Sequence, residues 1–286
     1  MGYTLHMPKF DASLNTDWCN ARNNAELLLT LRLGFRQVNP AGDRATGTYN
    51  DYGSPNGKPR KIVKWSQSAW TVWKATFCRS AERFWNGKFW ILNRSGILAK
   101  RSGAFIFIPN IWCKFDIIGN DAAVGRHHHV IDVVRLDPTE SWFGSHATLY
   151  DSGDINAVPK KTDSKGKPIL QRAHVHEIGH LLGLGHVDIG KPHCTANGNT
   201  NASDCYGISD NDMNSVMGAG MRLDVAHAAP WVRALQSLVR TIPPAPIYLP
   251  APNFRKPFRV SKRRLYPRTV AEFEADTIIT RLLPRR

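Results

Sequence analysis

The sequence predicts an α+β fold, a twisted sheet carrying helices, from three observations. Residues 25–38, AELLLTLRLGFRQV, alternate Leu27, Leu29, Leu31, Leu33 and Phe35 with Thr30, Arg32, Gly34 and Arg36, the period of two of a half-buried strand. After a turn region rich in Gly, Pro and Asn, Ile62, Trp65, Ala69, Trp73, Phe77, Ala81 and Phe84 recur at helical spacing. Residues 60–86 therefore read as one amphipathic helix whose aromatic stripe packs on the sheet. Short apolar runs at 89–92, 104–108, 113–118, 129–136 and 147–150, separated by Gly, Pro, Asn and Asp, supply further strands. The tryptophans of the helical stripe read as core rather than as a stacking platform for sugars or bases, because aromatics at that spacing are mostly buried.

Toward the C-terminus a helix is expected over 230–240. IPPAPIYLPAP follows, whose prolines block helix and ladder hydrogen bonding alike. The expected organisation is an N-terminal extension (1–24), one main domain (25–240) and a basic Pro/Arg-rich tail (241–286). With 286 residues, 42% of them hydrophobic, the chain is long enough to bury a sizeable core. Its net charge is +15. From Arg240 to Arg286 eleven Lys or Arg stand against three acidic residues (Glu272, Glu274, Asp276), so +8 of that charge lies in the tail. Such a tail reads as a solvated extension, or as an arm for a polyanion or anionic surface. No apolar window approaches a membrane span of about 18 residues, and the first ten residues lack the basic opening and apolar run of a Sec-type signal. The chain reads as a soluble monomer.

Of the five cysteines, Cys19, Cys78, Cys113, Cys194 and Cys205, the last two bracket the polar run TANGNTNASD. They suit either a disulfide closing a surface loop or two free thiols. The bridge would lean toward an oxidising compartment, reached by a route without a Sec signal, over the cytoplasm. No CxxC spacing points to a cysteine-based zinc ribbon.

The chemistry concentrates in HVHEIGHLLGLGH, residues 174–186. His176 and His180 are four apart, so on a helix both rings project from one face and reach one ion. Gly183 falls where the helix must stop if His186 is to fold back, because glycine takes a positive φ without strain. Three neutral imidazoles with an open fourth position describe a catalytic zinc site. Glu177, too far round the helix to be a first-choice ligand, is placed to take a proton from water and hand it to the leaving amine.

The stretch H-E-x-x-H-x-x-G-x-x-H resembles the metzincin clan of zinc endopeptidases, and HEIGHLLGLGH looks most like its matrixin-type members. The resemblance covers about residues 171–221. It implies zinc on His176, His180 and His186, Glu177 as the base, and a methionine turn beneath the metal, for which NSVMGAG offers Met217 with Gly218 and Gly220 supplying flexibility. It also implies a metzincin-like architecture: a twisted mixed sheet, a long backing helix, an active-site helix, zinc in a cleft, and an edge strand antiparallel to substrate, for which SHATLYDSGD is the candidate. Two departures withhold a subfamily. Gly218 and Ala219 stand where many members have a tyrosine, and Val187 and Asp188 where matrixins have a small hydroxyl residue.

The remaining candidates read as structural. In RHHHV strand alternation would send His128 away from His127 and His129, so no three-ligand cluster forms locally. His174 lies off the ligand face, in a supporting or surface role. SDNDMNS is oxygen-rich enough for Ca2+ but lacks the EF-hand spacing, and reads as a solvated loop. Two functions are therefore expected to compete. One is a zinc endopeptidase acting on a protein or peptide substrate. The alternative is a basic protein docking on nucleic acid or an anionic surface, with a structural zinc closed by Asp188 or His193.

Overall fold

The computed structural model describes residues 2–16, 25–92, 98, 100–102, 105–107, 109–241 and 278–281. Two short strands, β1 (Gly2–His6) and β2 (Asp11–Asn15), precede the long β3 (Ala25–Val38). A hairpin of β4 (Thr46–Asn50) and β5 (Pro59–Val63) leads into α1 (Gln67–Trp85). Then come β6 (Phe89–Leu92), β7 (Lys100–Ser102), β8 (Phe105–Phe107), β9 (Ile111–Asp121), β10 (His129–Val134) and β11 (Leu149–Asp151). A second hairpin, β12 (Ala157–Thr162) with β13 (Pro168–Arg172), runs directly into α2 (Ala173–Leu181). The short α3 (Asp210–Met213), α4 (Ala229–Thr241) and β14 (Ile278–Arg281) complete the chain.

The fold is α+β with one large mixed sheet built on β3. One edge of β3 pairs parallel with β9 along most of its length. Its other edge is shared, antiparallel β2 taking the first half and parallel β10 the second. The alternation read from the sequence is real: Leu27, Leu29, Leu31 and Leu33 are fully buried, while Glu26, Leu28, Thr30 and Arg32 are half-exposed on the opposite face. Helices α1, α2 and α4 share one core with that buried face. Phe35 meets Trp70, Trp73 and Phe77 of α1 edge-on, with ring centroids 6.3, 5.9 and 5.3 Å apart, the geometry that opposes ring edge to ring face.

Three expectations change. Residues 2–16 are not an extension outside the domain, because β2 pairs with β3 and Phe10, Ala12 and Leu14 lie in the core; five residues, DASLN, are too few for the period to stand out. The helix expected from residue 60 begins at Gln67, where the Ser66 side chain accepts from the Ala69 N–H, a standard N-cap. Ile62 and Trp65 matched the helical phase by coincidence: Ile62 is a buried β5 residue paired with Gly47. Third, within SHATLYDSGD only β11 is a strand, parallel to β10. Its outward amides are already taken, Leu149 N–H by the His146 carbonyl and Asp151 N–H by the Asp154 carboxylate at 2.8 Å, so this stretch offers no free ladder to a peptide.

The sheet limits its own edges. Beyond the end of β6, the β9 amides of Phe115 and Ile117 donate to Asn86, just after α1, and to Glu82 of α1 at 3.0 and 2.9 Å, which blunts an otherwise open edge. The helix expected over 230–240 is α4, and β14 returns from the tail to pair parallel with β6. The rest of the basic tail, Cys19 and the Pro-rich run lie outside the described residues. Among the described residues no helix is long and apolar enough to cross a membrane.

If the aromatic stripe is core, Phe77→Ala lowers unfolding free energy in urea by about 3–5 kcal/mol. Val72→Ala, on the outward face of the same helix and 65% exposed, stays within about 0.5 kcal/mol of wild type.

Candidate metal centre

Helix α2 starts directly from β13, buries Val175, Ile178 and Leu181 in the core, and carries His176 and His180 one turn apart. It ends in a Schellman turn. Gly183, at φ +86°, donates to the His180 carbonyl at 2.8 Å, and Leu184 N–H reaches back to Gly179 at 2.9 Å. The reversal aims the Leu184 carbonyl at the ring of His180, whose Nδ1 lies 2.9 Å from it, and two residues later brings His186 alongside. His176 Nδ1 lies 2.7 Å from the Val216 carbonyl and His186 Nδ1 2.6 Å from the Thr200 carbonyl.

Those three contacts decide the tautomers. A carbonyl only accepts, so each Nδ1 carries the proton and each Nε2 carries a lone pair. The Gln171 amide nitrogen also lies 3.2 Å from His176 Nδ1, but the shorter bond to Val216 governs, and that amide donates to the Gly218 carbonyl at 2.8 Å. All three Nε2 atoms then converge: His180 Nε2 is 3.1 Å from that of His176 and 3.0 Å from that of His186. Burial pushes all three imidazoles below the usual histidine range, to about 4 for His186, so they face one another as neutral bases. Three converging lone pairs fit a cation. The spacing is close to the nitrogen–nitrogen edge of about 3.3 Å that follows from tetrahedral coordination at about 2.0–2.1 Å. Among the described residues no fourth His, Cys, Asp or Glu joins this group.

Glu177 is half-buried and outside the ligand cluster. Among the described residues no hydrogen bond or ion pair holds its carboxylate. Burial first, then the charge of Asp154, pushes it up to about 8, against the opposing charge of Lys160; a cation on the imidazoles acts in the opposite direction. Asp154 is itself raised to about 7 by desolvation and by Asp151, and accepts from Ser145 Oγ at 2.6 Å.

Met217 is buried against α2. Its sulfur lies 2.3 Å from where a Cβ on Gly179 would stand, and its carbonyl accepts from Val187 N–H at 2.9 Å. Gly218 and Gly220 supply room rather than flexibility. A Cβ on Gly218 would lie 2.3 Å from the Asp212 carbonyl oxygen and 2.8 Å from that of Tyr206.

The other candidates fall elsewhere. His174 is neither a ligand nor on the surface: it is fully buried between helices, its Nδ1 3.0 Å from the Asp154 carbonyl and its Nε2 bonded to Ser80 Oγ. Asp188 and His193 bond each other at 2.8 Å and do not reach the triad. In the RHHHV tract His128 accepts from Arg32 N–H at 2.9 Å. The carboxylates of SDNDMNS serve the protein: Asp210 holds Ser164, and Asp212 pairs with Lys191 at 2.8 Å. The open question about Cys194 and Cys205 resolves as a disulfide. Sequence reasoning missed Tyr206, whose ring centroid lies 3.9 Å from that of His186, and the Thr200 carbonyl. The only signal for either was proximity to that cysteine pair.

Gly183→Ala places a Cβ at a left-handed φ, costing about 1–2 kcal/mol, and is expected to weaken metal binding in chelator competition; Gly183→Asn, which tolerates that φ, loses less. Gly218→Ala is expected to cost about 1–3 kcal/mol by overpacking, read as a lower urea midpoint. Comparisons of the chain with family models, curated proteins and solved structures return no match.

Proposed function

We propose that the chain is a zinc-dependent endopeptidase of metzincin type. The observation carrying this reading is the three-imidazole face with no fourth described protein donor, set beside a carboxylate that no described side chain or amide engages. A structural zinc is normally closed by four protein ligands, whereas a catalytic one keeps a position for water or substrate. Imidazole donors suit zinc among the borderline metals, and a zinc ion held there would supply a Lewis acid that polarises a carbonyl and acidifies water.

The chain's own residues then divide the work. His176, His180 and His186 bind the metal through Nε2, and Val216, Leu184 and Thr200 hold their orientation through backbone carbonyls. Glu177, one residue after the first ligand, accepts a proton from the attacking water and delivers it to the leaving amine. Placement supports that role: Glu177 follows the first histidine of the triad directly and lies outside the ligand cluster, with its carboxylate free of any described hydrogen bond.

The test measures zinc by elemental analysis alongside cleavage of denatured protein, profiled by mass spectrometry. Wild type is expected to carry one zinc per chain and to cleave, with activity lost to a chelator and restored by zinc. Glu177→Gln is expected to keep the zinc and lose at least about a hundredfold in rate, the lower range for a general base. Full zinc occupancy with no cleavage across a broad peptide panel would instead make the metal structural.

A further inference from the structure

The loop between Cys194 and Cys205 is tied to the metal centre at four points. Both cysteine carbonyls accept amides from the segment just after the third ligand: Gly190 N–H donates to Cys194 at 2.8 Å and Asp188 N–H to Cys205 at 3.2 Å. Within the loop, the Thr200 carbonyl accepts from His186 Nδ1 at 2.6 Å. Immediately after it, the Tyr206 ring covers His186 at 3.9 Å between centroids and lies 5.5 Å from the ring of His176, inclined by only 17°. The bridge itself is interior, Cys194 and Cys205 being 3% and 0% exposed, although the loop between them is largely at the surface.

His186 differs from the other two ligands in what holds it. His176 and His180 are fixed by α2 and its Schellman turn, which the core anchors through Val175, Ile178 and Leu181. His186 follows Gly183 and Gly185 in irregular chain; among the described residues the hydrogen-bond partner of its Nδ1 comes from the disulfide-closed loop, and the Tyr206 ring just after that loop packs on it. A loop of ten residues between the cysteines, rich in Asn, Gly and Ser, samples many conformations unless its ends are joined.

We propose that the Cys194–Cys205 loop is the positioning element of the third metal ligand. The bridge holds the Thr200 carbonyl and the Tyr206 ring against His186, and the metal is retained only while they are held. The inference rests on reading the triad as a metal site.

The experiment compares zinc affinity by chelator competition, and the visible spectrum of the cobalt-loaded protein, for wild type, Cys194→Ala/Cys205→Ala, Tyr206→Leu and Tyr206→Phe, with near-ultraviolet circular dichroism reporting the fold. Opening the loop is expected to weaken zinc about 10–100-fold, the usual effect of losing a ligand's orienting partner, and to change the cobalt spectrum as His186 withdraws. Tyr206→Leu is expected to weaken zinc as well, and Tyr206→Phe, which keeps the ring, to restore wild-type affinity. Wild-type affinity and spectrum in the folded double variant would overturn the proposal. If the double variant does not fold, Tyr206→Leu decides in the same way. A wild type that takes up neither zinc nor cobalt overturns the metal reading itself, an outcome distinct from equal binding by wild type and variants.

Discussion

Three backbone carbonyls, of Val216, Leu184 and Thr200, determine what the three imidazoles can do. Each accepts the Nδ1 proton of one histidine, which leaves an Nε2 lone pair on every ring and points all three at one volume. A surface histidine chooses its tautomer by solvent; these cannot, because the partner of each Nδ1 is an obligate acceptor. Much of the architecture around α2 amounts to placing those three oxygens. The Schellman turn places Leu184, the disulfide loop places Thr200, and the tight turn through Met217 places Val216. Gly183, Gly218 and Gly220 recur at these places because the chain must reverse or approach another backbone more closely than a Cβ allows.

His176, His180 and His186 converge as neutral bases on a cation-sized gap, while Glu177 lies in the field of Asp154, and Asp154 in that of Asp151. Burial raises both carboxyls, and like charge adds to it, that of Asp151 at Asp154 and that of Asp154 at Glu177. Lys160, at the irregularity between Pro159 and Lys161 in the β12–β13 hairpin, is the cation that partly offsets them. The hairpin is thereby part of the site's charge balance as well as the lead-in to α2, and Lys161 ties it to the disulfide side through the Ser203 and Gly207 carbonyls.

What the sequence revealed and what it hid follow from the range of the interactions. The period of β3, the helix of α1 beyond Gln67, the i, i+4 histidine pair and the positive φ at Gly183 are local, set by spacing and by the absence of a Cβ, and they can be read from a few consecutive residues. Ile62 and Trp65 show the limit, since two apolar residues in phase with a helix are equally at home in a strand and its exit. The membership of β2 in the sheet could not be read, because it depends on pairing with β3 and not on DASLN itself. The same holds for Tyr206 and Thr200: their relation to His186 exists only once a cross-link between residues eleven apart folds the loop back. His176, His180 and His186 were legible as a group because a shared cation would impose that spacing; the groups orienting them were not, because a carbonyl belongs to every residue type.

The two halves of the site also differ in how much of their order is their own. Helix α2 is held by a core continuous with the sheet. Between Gly183 and Asp224 the chain forms only a 3-10 turn and the four-residue α3, and its apolar anchors are few, Val216, Met217 and Ala219 among them. Its order comes from cross-ties: the disulfide, the Gln171 bond to Gly218, the Lys191 pair with Asp212. A segment so constructed opens at lower free energy than the helix it faces. Closing it, however, drives three neutral nitrogen lone pairs to about 3 Å from one another, which is unfavourable by itself. A cation bound between them would reverse the sign of that term and would couple its binding to the ordering of the segment that supplies His186.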